Sequence, residues 1–353
     1  MQYPKRLPGG SVQGHGIGND AAVRVGPLAG LPNILRELGW DPEPLFVSAG
    51  FKPKQFENPD HEVSFVAASR LLASCVAVTG CQHLGLLLGE RVEPSSLGVA
   101  GFMLRSAPSV QAALNGLVRH LDLHDQGGAA TLVTRGDTTF LGYVIHQAGV
   151  SATDQIHDMS MAVACKILHG LCGDGWSPTG VFLSHRMPSN IARYKEVFHA
   201  PLHFDAEQSA VAFASRWLDH PLPGSDPLLH RHLEREADDL HRRRKTDQAG
   251  RLRRLLRASL PSGGCNVSDI ARQLGMHERT LNRRLRAEDT TFRQELEQTR
   301  YEVAQQLLSD TTMPLGQIAD CLTYADATAF SRAFKRWSGV TPTAWRSRII
   351  APE

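Results

Sequence analysis

The chain has 353 residues, 42% hydrophobic and 21% charged, the composition of an ordinary globular protein with room for two or more cored domains. Its formal charge is only +2, yet Thr246 to Glu353 carries 16 Lys and Arg against 12 Asp and Glu, nearly all of the cations being arginine, the side chain suited to phosphate and guanine. No apolar run is long enough to predict a membrane span, and Cys75, Cys81, Cys165, Cys172, Cys265 and Cys321 form no C-x-x-C pair, which speaks against structural zinc or a disulfide framework and for buried thiols in a reducing cytosol.

The opening "MQYPKRLPGGSVQGHGIGND" has no apolar segment of a secretory signal and reads as a flexible tail over residues 1–21. From about Ala22 to Glu90 the pattern is helical. "LPNILRELGW" places Leu31, Ile34, Leu35 and Leu38 on one side and stops at Gly39. "FVAASRLLASCVAVTG" repeats the pattern to Gly80, and "SVQAALNGLVRHLDLH" is a further helix started by Pro108 and Ser109. The period then becomes two. "AATLVTRGDTTFLGYVIH" predicts two strands around Gly136-Asp137. A long helix follows in "ATDQIHDMSMAVACKILHGLCG", then a strand in "TGVFLSHRMP", a helix in "NIARYKEVFH" and a strand pair in "PLHFDAEQSAVAFA". This order predicts an α+β domain over 22–222, a helical subdomain plus an antiparallel sheet with helices on one face.

"DHPLPGSDP" breaks the chain, and "LLHRHLEREADDLHRRRK" predicts a charged linker helix within 223–246. Residues 247–353 are helical throughout and contain an internal echo. "SDIARQLGMHERTLNRRLR" aligns with "GQIADCLTYADATAFSRAFK": Ile270-Ala271 matches Ile318-Ala319, Leu281 matches Phe330, and Leu285 matches Phe334. Each half is a short helix, a tight turn and a second helix, the shape of a helix-turn-helix. In the last helix Phe330, Ala333, Phe334 and Trp337 make an apolar seam. Opposite it lie Thr328, Arg332 and Lys335, with Arg336 alongside, and their counterparts in the twin are Arg279, Arg283 and Arg286. Two cationic faces in phase predict two helices entering successive major grooves, about 34 Å apart. Lys335 and Arg336 suit phosphates and Arg332 a base or phosphate.

The region from Cys265 to Arg348 resembles the DNA-binding domain of the AraC/XylS family of bacterial transcription regulators. "IADCLTYADATAFSRAFKRWSGVTPTAWR" is close to that family's signature, with Pro342 expected to close the last helix, and "MHERTLNRRLRAEDTTF" resembles its first motif. The resemblance implies an all-α domain with two helix-turn-helix motifs, whose DNA-facing residues here are Arg279, Asn282 and Arg283, then Ala327, Thr328 and Arg332. Three departures matter. Thr323 stands where the family usually has glycine and is strained if that position needs a positive φ. His277 stands where Ser or Asp often caps the first recognition helix. Ala327 offers only a methyl group, so the second helix is expected to read bases less specifically than the first.

Leu28 to Leu222 is similar to the effector-sensing region of an AraC-type subgroup related to the arabinose-binding region, which includes regulators of ornithine and arginine use and of virulence or quorum-linked genes. Candidate effector residues are His120, His124, Asp125, Tyr143 and His157, a polar set near a helix–sheet boundary that reads either as pocket lining or as capping and surface polarity. Their spacing also admits a metal, although 16 histidines make chance pairs expected, and no metal or cofactor is predicted. The Leu-rich helices suit an amphipathic or lipid-like effector as well as an amino acid. No G-x-S-x-G, H-E-x-x-H, P-loop or G-x-G-x-x-G occurs, so no enzyme is expected. The resemblance implies a cytoplasmic, nucleoid-associated regulator, an activator controlled by a small effector (an amino acid, fatty acid or other small metabolite). Its expected partners are double-stranded promoter DNA, RNA polymerase and a second copy of the chain, with no membrane. The alternative is a constitutive DNA-binding regulator whose front domain only dimerises.

Overall fold

The computed structural model describes residues 21–243, 248–260, 265–274 and 276–350. The expected tail lies outside these apart from Ala21, as do residues 244–246 of the expected linker.

The front of the chain forms helices α1 (Leu31–Glu37), α2 (Pro42–Ser48), α3 (Phe65–Thr79), α4 (Leu84–Arg91), α5 (Val99–Ser106) and α6 (Val110–His120). Helix α3 shows why. Ser64 caps it by accepting from the Ala67 amide, Phe65, Ala68, Leu71, Leu72 and Cys75 bury one face, and Gly80 ends it at φ 67°. In α1, Leu31, Ile34 and Leu35 are buried as expected. Leu38 is not: it sits at the C-cap, 39% exposed, because the chain turns at Gly39 (φ 84°) before a further helical step. The helical reading also hid a small pair of strands, β1 (Ala22–Arg24) antiparallel to β2 (Glu62–Ser64). Three-residue strands leave too little alternation to detect.

The sheet begins with the hairpin β3 (Gly128–Arg135) and β4 (Thr138–Ile145), which pair in register from Gly128↔Ile145 to Arg135↔Thr138. Gly136 takes φ 59° in its turn. Strands β5 (Gly180–Phe182), β6 (Leu202–His203) and β7 (Ser209–Ala214) complete the order β3-β4-β7-β5-β6. Two expectations change here. β6 and β7 do not pair, because β5 lies between them, and β5 pairs with β6 in parallel rather than antiparallel. The crossover through α8 (Ala192–Phe198) supplies the return path that a parallel pair requires. Helix α7 (Thr153–Cys172) packs across β4 and β7 and against α4. A Cβ on Gly85 of α4 would lie 2.1 Å from the Gln155 carbonyl oxygen, so only glycine permits that approach.

Helix α9 (Pro227–Arg243) is charged but not detached. It packs on α5, with Ala237 wholly buried beside Met103 and Leu123. Among the described residues seven helices follow: α10 (Gln248–Ser259), α11 (Val267–Gln273), α12 (Glu278–Ala287), α13 (Phe292–Asp310), α14 (Leu315–Cys321), α15 (Ala327–Ser338) and α16 (Pro342–Ile350). They enclose two small cores, one around Leu252, Leu256, Ile270, Leu281 and Leu285 and one around Leu307, Leu308, Ile318, Phe330 and Phe334. Leu296 of α13 packs against both, so one helix of roughly 28 Å joins the two motifs. Burying Phe330 and Phe334 contributes about 2–3 kcal/mol each. Pro342 opens α16 rather than closing the last helix: α15 already ends at Gly339 (φ 77°), and proline is preorganised for a first helical position.

Candidate nucleic-acid interface and internal cavity

The second helix of each motif is anchored by its apolar seam. Leu281 and Leu285 hold α12, and Phe330, Ala333 and Phe334 hold α15, all buried. The opposite faces point to solvent. Arg279, Arg283 and Arg286 are exposed on α12, with Asn282 half-buried beside them. On α15, Thr328, Arg332, Lys335 and Arg336 are exposed and Ala327 is half-buried. Arg336 also lies 3.9 Å from Glu297 of α13, which tethers it loosely to the joining helix. Each outer face therefore presents guanidinium groups on a rigid cylinder, the form that enters a major groove.

The two turns differ. Asp326 caps α15, its carboxylate accepting from the Ala329 amide at 2.7 Å. His277 gives α12 no side-chain cap, and the Thr280 amide bonds to the His277 backbone carbonyl at 2.9 Å instead. Thr323 adopts φ 60°, a left-handed conformation that is costly for a β-branched residue. Arg300 of α13 braces this turn, donating to the Thr323 hydroxyl and lying 5.0 Å above the Tyr324 ring.

A cavity of about 110 Å³ lies between α3, α6, α7 and the β3–β4 hairpin. Its wall is mostly aliphatic, including Leu72, Leu117, Leu141, Ile156, Ala164 and Ile167. Of the candidate effector residues, His124, Asp125 and Tyr143 come together on this wall. The Tyr143 hydroxyl donates to Asp125 Oδ2 at 2.5 Å, and Asp125 Oδ1 accepts from the amides of Gly127 and Gly128. A Cβ on Gly128 would lie 2.0 Å from Tyr143 Oη, so glycine is what admits this ring. Burial and the Asp125 carboxylate push the Tyr143 hydroxyl well above the usual phenol range.

The other two candidates do not line this cavity, although the His157 ring packs edge-on against Tyr143, 6.2 Å between centroids. His120 Nδ1 faces His241 Nε2 of α9 at 3.1 Å, and burial, reinforced by His241, lowers its pKa to about 4. His157 faces Gln306 of α13, whose amide nitrogen lies 3.2 Å from its Nε2. Burial, with a smaller contribution from His185, lowers His157 to about 3, so the neutral ring accepts that bond. Among the described residues no three His, Cys, Asp or Glu gather as metal ligands.

Sequence reasoning missed the junction between the two halves. Arg257 of α10 donates to the Ile145 carbonyl and pairs with Glu302 of α13. Thr153, at the start of α7, donates to Asp310 Oδ2 at 2.8 Å, and the Thr312 amide donates to Asp205. Burial raises Asp310 to about 6. The signal available for Arg257 was its place beside Leu252 and Leu256 on a helix that must bury a face. A wider, solvent-open cleft of about 540 Å³ borders this junction, lined by Asp154, Arg186, Tyr194 and Asp310 among others.

Two family profiles match the chain. "Arabinose-binding domain of AraC transcription regulator, N-term" matches residues 39–222, and "Helix-turn-helix domain" matches residues 270–348. The chain is 27% identical to the HTH-type transcriptional regulator VirS of Mycobacterium tuberculosis, covering 92% of this chain and 96% of that protein. It is 28% identical to the ornithine utilization regulator of Pseudomonas aeruginosa, again over 92% and 96%. The crystal structure of the transcriptional regulator CdpR from Pseudomonas aeruginosa aligns with 89% of this chain and 98% of its own, at a TM-score of 0.43 and 21% identity. No single described helix is long and apolar enough to cross a membrane. With a ligand-binding-like front domain and two helix-turn-helix motifs behind it, the chain belongs to the AraC family of DNA-binding transcription regulators.

Proposed function

We propose that this regulator is an effector-gated activator. A small molecule bound in the front domain changes how α12 and α15 are presented to promoter DNA. The supporting observation is helix α7. Its Ile156, Ser160, Val163 and Ala164 line the cavity, while its Thr153 and His157 bond to Asp310 and Gln306 of α13, the helix that joins both DNA-binding motifs. A ligand that shifts α7 therefore acts on α13 directly, and the shift is limited by its differential affinity for the two arrangements.

In this reading Arg279, Asn282, Arg283, Thr328 and Arg332 meet bases, Ala327 offers methyl contact, and Arg286, Lys335 and Arg336 meet phosphates. His124, Asp125 and Tyr143 belong to the effector cavity, whereas His120 and His157 serve the α9 and α13 contacts. The chain divides into the sensor over 22–222, the linker over 223–246 and the DNA-binding domain over 247–353. It works in the cytoplasm as a homodimer with RNA polymerase as its further partner.

Selection of binding sites from random duplexes with the full chain tests this. The expected site has two short conserved blocks about one helical turn apart. Recovery of a single block, or of no preferred sequence, contradicts it.

A further inference from the structure

The chemistry of the cavity narrows what it takes, granted the effector-gated reading above. We propose that it binds a small, largely apolar, uncharged molecule about the size of one aromatic ring with at most one hydroxyl, and not a sugar or a free amino acid.

Shape and surface argue this first. At about 110 Å³ the cavity is on the scale of the apolar cavities that hold a benzene ring. Leu72, Leu117, Leu141, Ile156, Ala164 and Ile167 give it an aliphatic wall from four different elements, so a ligand gains by apolar burial rather than by directed bonds.

Most of the polar side chains on the wall are already engaged within the protein, which is the second argument. Asp125 accepts from Gly127, Gly128 and Tyr143. Ser160 donates to the Ile156 carbonyl. Ser69 donates to the Val66 carbonyl and accepts from the Ser151 amide. Arg24 pairs with Asp60. A pentose, with a hydroxyl on nearly every carbon, would bury most of them without partners. A zwitterion would bury two charges. One further bond fits: Tyr143 Oη gives its proton to Asp125, and its oxygen can accept from a single ligand hydroxyl.

The family description names arabinose, and one relative is named for ornithine, so the proposal separates this chain from both chemistries. A cationic amino acid would find better chemistry in the open cleft beside Asp154 and Asp310, which makes the two sites distinguishable.

The test is calorimetric titration of the full chain with toluene, p-cresol, L-arabinose, L-ornithine and hexanoate, alongside thermal denaturation. Toluene and p-cresol should bind saturably and raise the melting midpoint, and the other three should not. Ala164→Phe places a ring in the cavity and should weaken p-cresol roughly tenfold or more. If that variant fails to fold, Leu141→Ala enlarges the cavity and should shift preference from p-cresol to naphthol. Binding of arabinose, or of ornithine in a manner that Ala164→Phe abolishes, overturns the proposal. So does ornithine binding that survives Ala164→Phe, which would place the ligand in the open cleft, and so does failure of both apolar probes to bind. Binding of a selected duplex, measured on the same preparations without probes, separates the outcomes: DNA binding without probe binding removes this inference alone, and loss of both removes the underlying reading.

Discussion

Arg257, 4% exposed in its side chain, donates a 2.6 Å hydrogen bond from the helix-turn-helix half to the carbonyl of Ile145 at the end of the front-domain strand β4. The same guanidinium pairs with Glu302 of α13, so one buried cation fastens α10, α13 and the sheet together. Burial lowers its pKa, and Glu302 opposes that shift.

Removing one partner of such a pair leaves the other buried and unmatched. Arg257→Ala should therefore destabilise the chain by about 3 kcal/mol in urea denaturation. Arg257→Met combined with Glu302→Leu, which removes both charges and keeps the volume, should recover most of that loss. Equal losses in the two variants would mean the ion pair is not what holds the junction.

The first recognition helix lacks the cap that the second has. His277→Asp should supply it, accepting an amide of α12 as Asp326 does for α15, and should add about 1 kcal/mol of stability. A thermal melt of the two proteins side by side reads this, and an unchanged or lowered midpoint would count against it.

Thr323 holds a left-handed conformation at φ 60°. Thr323→Gly should stabilise by about 1 kcal/mol, the release of backbone strain exceeding the lost bond from Arg300. Thr323→Ala, which keeps a Cβ and also loses that bond, should not. If glycine and alanine behave alike in urea titrations, strain is not the reason.

Two buried groups give opposite pH responses. Asp310 sits near 6 when docked against an ordinary 3.8, chiefly through burial, with Asp154 adding to the shift and Thr153, His185 and Arg186 opposing it. The docked state therefore binds the extra proton, so docking strengthens as pH falls from 7 through 6 toward 4. Asp310→Asn should be more stable than the parent by about 1–2 kcal/mol at pH 7, and the gap should roughly halve by pH 5 and close only toward pH 4. His120 runs the other way. Its folded pKa is about 4 against 6.5, so its contribution is complete above 6.5 and is lost as pH falls toward 4. His120→Asn should remove that loss from the melting midpoint between pH 7 and 5; an identical pH slope in both proteins would show that His120 is not its source.

How much of this was legible in the sequence follows from the range of the interactions. The seams of α12 and α15 and the hairpin at Gly136-Asp137 depend on residues close in the chain, and their periodicity shows them. The strained turn and the missing cap were legible as departures at Thr323 and His277. The parallel β5–β6 pair was not, because it depends on the α8 crossover rather than on any local pattern. The candidate effector set split for a similar reason: proximity in sequence places His120 near His124, but the direction of each side chain sends one to α9 and the other to the cavity. The contacts of Arg257 with Ile145, of Gln306 with His157 and of Asp310 with Thr153 were invisible because each joins residues more than a hundred positions apart.

The most direct measurement is fluorescence anisotropy of promoter DNA titrated with the full chain and with Arg283→Ala and Arg332→Ala. Each substitution should weaken specific binding by about 1–3 kcal/mol. Base substitutions in the block facing α12 should cost more than those facing α15, because Ala327 leaves the second helix fewer side chains for bases. Unchanged affinity in both variants would contradict the assignment of α12 and α15 as the DNA-reading helices.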